Sequence, residues 1–519
     1  MRLPSLAVAA SLLVSFTPAI EACTFQHDDF PTVISARTPP IPSDILDKLS
    51  PKLSPSAKII FPSSPLWSNA SQRWNELSRP TYSAIIEVST ERDISESVKY
   101  ANKHNIPFFA FSQGHGSYYG LERFQDGIGI SLSSLSRKIE LDSSGKWATI
   151  GGGMRSKDVI DYLWKRGKQT PTGGCGCVGV IGPMLGGGHN WIQGQVGLMA
   201  DQVLGFRVVL ANGEVVSVDD KTNKDLFWAM RGAGHNFGIV SEAKYKVYDV
   251  KEPKWSVETF TFRSSRLEDV YTYANKKLNG KGDPRLLMWG TWFLNPAIDE
   301  KPVIQFQWIY NGPLAELKKL SKDTHALKAD AYTSMEVDYP ELSPSLGYGA
   351  EQYACQTDGR GNRLLRGIDV DQYDVKSLRK WYDAFAATVM TEPTFQTSFC
   401  ILEGYSTQAV QAVPDKSTAY ALRGERLLLA PAIFWQKGNA TLDEKARKWS
   451  KEMYLAASGS AKKKSYVNYA HGDEPVEALY GYEPWRLEKL RKVKKQYDPQ
   501  GKFGFFNPIN PATQGHRDM

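Results

Sequence analysis

Glycine is concentrated in four short stretches in the first half of the chain: Gly114-His115-Gly116, Gly151-Gly152-Gly153, the run from Gly173 to Gly188, and the run from Gly232 to Gly238. Lacking a Cβ, such backbone approaches a ligand closely and adopts positive φ. Successive N–H groups freed in this way cup a pyrophosphate. One such loop would mean little, but four in half a chain point to a dinucleotide held largely by main chain. The run Gly174-Cys175-Gly176-Cys177-Val178-Gly179 matches GxGxxG literally, with Asp201 downstream. That pattern belongs after a strand and at the opening of a long helix. Here Thr170-Pro171-Thr172-Gly173 precedes it, and Pro183 and Gly186-Gly187-Gly188 would break any long helix after it. A nicotinamide-type doubly wound domain is therefore not expected.

Around these loops a β–α–β rhythm is legible. Ser83 to Val88 is a compact strand. Thr90 caps a helix with Asp93 in its first turn and Ile94, Val98 and Ala101 on one face. Pro107 to Phe111 is the next strand, and a helix opening at Ser156 buries Val159 and Leu163 and stops at Gly167. Arg207 to Ala211 and Glu214 to Val218, joined by Asn212-Gly213, read as a hairpin. From about 256 to 460 the strands lengthen and fill with Trp, Phe and Tyr, most clearly at Trp289 to Phe293 and Val303 to Tyr310. The expected class is α+β. Its parts are a lead over 23–75, a glycine-rich domain over 76–255, a sheet-based domain over 256–460, and a C-terminal segment, 461–519, that returns to the first domain.

The chain carries 63 Lys and Arg against 56 Asp and Glu, a net +7 over 519 residues. In the basic run from Arg486 to Lys495, Leu487, Leu490, Val493 and Tyr497 recur at helical spacing, so its cations read as a solvated helix face. No nucleic-acid motif accompanies them, and no nucleic-acid partner is expected. Residues 1–22 read as a signal peptide: Arg2, an apolar stretch from Leu6 to Phe16, then small Ala19 and Ala22. That stretch is too short to span a bilayer, and no later run is long enough. With the sequons Asn69-Ala70-Ser71 and Asn439-Ala440-Thr441, this predicts the secretory pathway and secretion. Five cysteines leave at least one thiol outside any internal pair. Cys355 with Cys400 is one pairing the sequence allows, Cys23 lies at the new N-terminus, and Cys175 with Cys177 would bridge only under strain. The histidines and cysteines show no zinc spacing, so no metal is expected.

The glycine loops also carry a specific resemblance. Ser112-Gln113-Gly114-His115-Gly116-Ser117-Tyr118 resembles the phosphate loop of the berberine bridge enzyme-like oxidases, a branch of the vanillyl-alcohol oxidase flavoproteins. Cys175 with Val178-Gly179-Val180, Gly186-Gly187-Gly188-His189, Gly197-Leu198 and Asp201 is similar to that family's second flavin segment. Asp225 to Ala229, with Gly232 to Val240, resembles the third. Tyr466-Val467-Asn468-Tyr469, Tyr497-Asp498-Pro499, Phe503 and Asn507-Pro508 match the terminal signature. The strong matches cover roughly 78–250 and 465–509. This chain departs from the pattern at Phe111 and Gln113, where the family usually has arginine and glycine, at a glycine added after His115, and at the extra thiol Cys177.

The resemblance implies a PCMH-type FAD-binding domain plus a substrate domain built on an antiparallel sheet with helices. It further implies FAD attached through His115 at the 8α-methyl and through Cys175 at C6. Beside His115 it assigns Ser112, Gln113, Gly114, Gly116 and Ser117 to the cofactor; beside Cys175 it assigns Gly179, Val180, Gly186 and Gly187. Gly238, Val240, Asn468 and Asn507 complete that set. Tyr466 is implied as catalytic base and His189 as a substrate-facing residue. An imidazole must be neutral to attack, which its ordinary pKa permits. Cys175 must be a thiolate, which neighbouring N–H groups would favour, or else it is an inert thiol or paired with Cys177. Tyr466 and Asn468, two apart, share one face of a strand while Tyr469 points away. A tyrosine base needs a cation or strong donors to bring its pKa down from about 10.

The chemistry implied is proton removal from a substrate O–H or N–H with hydride transfer to flavin N5, then reoxidation, with O2 the expected acceptor. A small secondary metabolite is the leading substrate. Oxidation of an oligosaccharide's reducing end, which would want an open Trp-lined groove, is an alternative. Others are a flavin-bearing protein guiding cyclisation or isomerisation without net oxidation, and a non-enzymatic glycoprotein.

Overall fold

Thr90 follows the strand Tyr82–Glu87 and starts the helix Glu91–Lys103. Its hydroxyl accepts the Asp93 N–H at 3.2 Å while the Asp93 carboxylate accepts the Thr90 N–H at 2.9 Å. This reciprocal cap satisfies two otherwise orphaned donors. Thr90→Ala is expected to cost about 1 kcal/mol, read as a lowered denaturant midpoint at unchanged slope.

The computed structural model describes residues 44–135, 138–347, 351–355, 361–459 and 462–510. The expected signal segment and Cys23 lie outside the described residues. A four-stranded sheet runs in the order Lys58–Ile60, Tyr82–Glu87, Gly127–Ser131, Phe108–Phe111. Its last three strands are parallel. Beside it in sequence lies a five-stranded antiparallel sheet: Ile139–Leu141, Trp147–Gly151, Ile239–Lys246, Val203–Val209, Val215–Asp219. The Asn212-Gly213 hairpin joins its last two strands, with Gly213 at φ +83°. The GxGxxG run is a loop leading into the five-residue helix Ile181–Leu185.

Residues 254–436 build an eight-stranded antiparallel sheet. Its order is Ala331–Asp338, Lys254–Phe262, Val303–Asn311, Leu286–Phe293, Phe399–Gly404, Leu427–Gln436, Gly361–Leu365, with Ile368–Val370 also on Leu427–Gln436. Successive side chains alternate between its faces. Cys400 and Leu402 pack with Trp381 and Trp449 of the helices Val375–Thr391 and Ala440–Ser458. Phe399 and Ile401 point the other way, into a cluster with Trp191 and Trp289. The sheet therefore offers its second face to the glycine loops. Leu487, Leu490 and Val493 of the helix Pro484–Tyr497 join the core of the five-stranded sheet.

That helix corrects one expectation. Its basic residues are not all solvated: Arg486 is fully buried, with both Asp415 oxygens at 2.8 Å from Nη2. Lys494 is buried too, donating to Asn236 O, Asp498 Oδ2 and Phe503 O. Buried cations persist only when paired, and these two staple the C-terminal segment down. Among the described residues, no helix is long and apolar enough to cross a membrane.

Candidate active site

One cavity of about 410 Å³ lies between the glycine loops and the free face of the large sheet. Ser112 to Ser117, Cys175, Gly179, His189, Gly238, Val240, Tyr466 and Asn468 all reach its wall. Of the expected site residues, Val180, Gly186, Gly187 and Asn507 stand behind it. Val180 is wholly buried, a Cβ on Gly186 would strike Asn468 Oδ1 at 2.2 Å, and one on Gly187 would strike the Tyr420 ring. Asn507 donates to Val467 O at 2.7 Å, which holds the Tyr466 segment in place.

The phosphate-loop end has the features a dinucleotide requires. Gly114 sits at φ +69°, and a Cβ there would meet Gln72 O at 3.0 Å. Arg73, buried beside the loop, donates Nη2 to Gly116 O at 2.9 Å and leaves Nη1 without a partner. Further on, Phe108, Phe109, Phe111, Leu132, Phe503 and Phe505 give an apolar slot fit for a planar base. The residues present fit an FAD.

His115 is half-buried, its ring stacked on Trp74 at 6.4 Å between centroids. Burial, then the Arg363 and Arg73 guanidiniums, lower its pKa to about 4, so the ring is neutral. Cys175 goes against expectation. Burial, with the Glu351 and Glu403 carboxylates, pushes its thiol up to about 12 rather than down. Its neighbour Cys177 is bonded to Cys355, and Cys400 is a buried free thiol, so the pairing Cys355–Cys400 is not formed. The partner of Cys355 is 178 positions away, and the neighbours of the two bonded cysteines, Val178 and Ala354, both line the cavity. Removing this bond with Cys177→Ser/Cys355→Ser is expected to cost about 2–5 kcal/mol, read as a lower Tm that reductant no longer shifts.

Tyr466 and Asn468 meet, but not on a strand. Val467–Tyr469 is a single 3-10 turn, and it brings Asn468 Nδ2 to 2.7 Å from the Tyr466 oxygen. The Gly188 and His189 N–H groups donate to the same oxygen at 3.1 and 3.2 Å. The turn also carries Tyr469 onto the cavity wall, not away from it. Burial raises Tyr466 far above its ordinary value despite these three donors, and none of the groups acting on it is a cation. His189 stacks on Tyr405 at 4.7 Å and 7°. Its Nδ1 faces Gln193 Oε1 at 2.9 Å, an oxygen that also accepts the Asn190 N–H. Nδ1 therefore carries the hydrogen, and Nε2 is an acceptor facing the Tyr420 hydroxyl at 3.5 Å. Burial lowers its pKa to about 4.

Sequence reasoning missed Glu403. It ends the strand Phe399–Gly404 on the same face as Phe399 and Ile401, reaches the cavity, and is 2% exposed. Tyr405 and Tyr469 donate to its two oxygens. Burial raises its pKa to about 7. A single acid at alternate spacing in an apolar strand was the available signal.

Two family models match this chain, one described as an FAD binding domain over residues 82–219 and one as berberine and berberine-like over 465–510. The FAD-linked oxidoreductase chyH of Penicillium rubens is 39% identical over 468 residues, covering 89% of this chain and 93% of that protein. The chain belongs to the berberine bridge enzyme-like FAD-linked oxidoreductases. FAD is its cofactor, and it is an FAD-linked oxidoreductase. The FAD-linked oxidoreductase anuG of Penicillium roqueforti is 35% identical over 475 residues, covering 90% of this chain and 92% of that protein. Among solved structures, the xylooligosaccharide oxidase of Myceliophthora thermophila superposes with a TM-score of 0.78 at 22% identity, over 91% of this chain and all of that one. The glucooligosaccharide oxidase of Acremonium strictum, described with a 6-S-cysteinyl, 8α-N1-histidyl FAD, does so with 0.75 at 22%, over 90% and 99%. This family fold is the α+β arrangement the glycine loops imply.

Proposed function

We propose that this oxidoreductase is a covalent flavoprotein oxidase acting on a small, flat, mainly apolar metabolite with an oxidisable alcohol, phenol or amine. The observation that carries the reading is Glu403, a carboxyl near pKa 7 set into a wall of Ile401, Phe399, Tyr405 and Trp289. A base poised near neutrality works best when the proton it takes lies in a dry, shaped cleft. When bound, FAD supplies the two-electron acceptor at that cleft.

Glu403 takes the substrate proton. Tyr466 has three donors on its oxygen and so turns its own hydroxyl hydrogen toward the substrate oxygen, while His189 Nε2, now facing the Tyr420 hydroxyl at 3.5 Å, becomes an acceptor for the substrate when that long contact is exchanged. His115 holds the flavin methyl, and Cys175, on the same wall, is the second tether. The free thiol at Cys175 and the engagement of Cys177 elsewhere support that assignment. The oligosaccharide reading wants an open Trp-lined groove; Trp191 and Trp289 do line the cavity, but at 4% and 7% exposure they offer little ring surface for a sugar to stack on. The Cys177–Cys355 bond supports passage through an oxidising compartment, as the secretory reading requires.

A substrate panel monitored by anaerobic bleaching of the flavin, with peroxide measured on admitting air, tests the proposal. Planar aromatic alcohols or amines are expected to bleach it and release peroxide. Bleaching by oligosaccharides alone would replace this substrate class, and turnover without peroxide would move the protein to cyclisation or isomerisation.

A further inference from the structure

We propose that Trp74 and Arg363 form a clamp that sets the orientation and proton state of His115 for its bond to the flavin. The inference rests on the histidyl attachment proposed above. Neither residue lies in a family-matched segment, since the two family models span residues 82–219 and 465–510. The backbone of 72–75 runs along the phosphate loop, with the Trp74 N–H donating to Gly114 O at 3.1 Å and Arg73 Nη2 to Gly116 O at 2.9 Å. This brackets His115 between two anchored neighbours. On one face of the column the Trp74 indole stacks on the imidazole at an interplanar angle of 29°. The Arg363 guanidinium lies 4.9 Å from the centre of the same indole, and Phe434 meets the indole edge-on.

Arg363 and Phe434 come from the large sheet, where they are direct cross-strand partners. The Arg363 N–H also donates to Asn75 Oδ1 at 2.9 Å. The sheet that walls the substrate cavity thus also presses on the residue that holds the flavin. Burial is the first cause of the neutral ring, and the charged groups facing His115, Arg363 and Arg73, are both cations that add to it. They disfavour imidazolium and keep a lone pair on the ring.

Attachment joins an imidazole nitrogen to the 8α carbon and displaces two hydrogens, one from the methyl group and one from the ring. Their two electrons and two protons pass to the flavin and then to O2, giving H2O2. A protonated ring has no lone pair to form the new bond. Arg363 is a positioning residue in this scheme, because it acts through Trp74 and through its field.

The test uses full-length, FAD-loaded protein and reads the fraction of flavin that stays with the chain after acid precipitation, with the histidyl-flavin peptide identified by mass. Arg363→Met is expected to leave roughly twofold more flavin unattached than the wild type at about pH 5 and to complete attachment at about pH 8.5, because losing one of the two cations lifts the ring's pKa only part of the way from about 4 toward its ordinary value, burial and Arg73 holding the rest. Arg363→Lys keeps the charge and is expected to match the wild type. Trp74→Ala should attach slowly at both pH values, and Trp74→Phe close to normally. Full attachment in both Arg363→Met and Trp74→Ala at the lower pH overturns the clamp. So does an Arg363→Met deficit that higher pH does not repair, since that is lost packing. A wild-type chain without the histidyl-flavin peptide would remove the underlying attachment reading, a result distinguishable from either.

Discussion

Glu403→Gln is expected to slow flavin reduction by about 10²–10⁴-fold while leaving the flavin bound and yellow, the usual worth of a positioned general base. The substitution is nearly isosteric: one of the two tyrosines can still donate to the amide oxygen, and the other can turn its hydroxyl to accept from the amide NH2. The pH profile gives the sign. A base acts only when deprotonated, and burial sets this carboxyl near 7. Reduction in the wild type should therefore fall as pH drops through about 7, and the slope should vanish in the variant. Anaerobic stopped-flow bleaching at several pH values measures both. If Glu403→Gln retained its rate while Tyr466→Phe lost it, the base would be Tyr466. That outcome would require the three donors on its oxygen to outweigh the burial that raises it.

The second large effect concerns the two tethers, which should not behave alike. His115→Ala removes a neutral ring already suited to attack, so most of the covalent colour is expected to go. The remainder should sit on Cys175 and grow slowly, because only a small fraction of a thiol near pKa 12 is ionised at neutral pH. Cys175→Ser should lose only the second bond and keep its colour through acid or SDS. Glu351→Gln removes one of the carboxylates that raise this thiol and should speed formation of the cysteinyl bond. The double variant His115→Ala/Cys175→Ser should bleach completely on denaturation. Retained colour there would mean that a third residue carries the flavin.

The features legible in the sequence were local. The Thr90 cap, the Asn212-Gly213 turn and the glycine loops are written in neighbouring residues, and the structure places them where their spacing requires. Glu403 was hidden because its meaning depends on which face of an apolar strand meets the glycine loops. Tyr469 was misdirected by reading residues 466–469 as a strand. A single 3-10 turn there changes the two-residue alternation, and Asn507, forty residues on, holds that turn through Val467. The thiol of Cys175 was expected to be acidic from its glycine neighbours, yet Glu351 and Glu403, remote in sequence, set its environment. Trp74 and Arg73 lay in a stretch read only as a lead, with no periodicity to mark them.

The Cys177–Cys355 bond has a consequence for biosynthesis. Translation reaches Cys355 long after the flavin loop has emerged, so Cys175 and Cys177 wait as a reduced pair while the first four of the large sheet's eight strands are made. During that interval either thiol is open to glutathione or to a wrong partner. A host compartment that keeps thiols reduced would prolong the interval indefinitely. Protein made in a bacterial cytoplasm should then carry less cysteinyl flavin than the same chain passed through an oxidising secretory route, even where both preparations look equally folded.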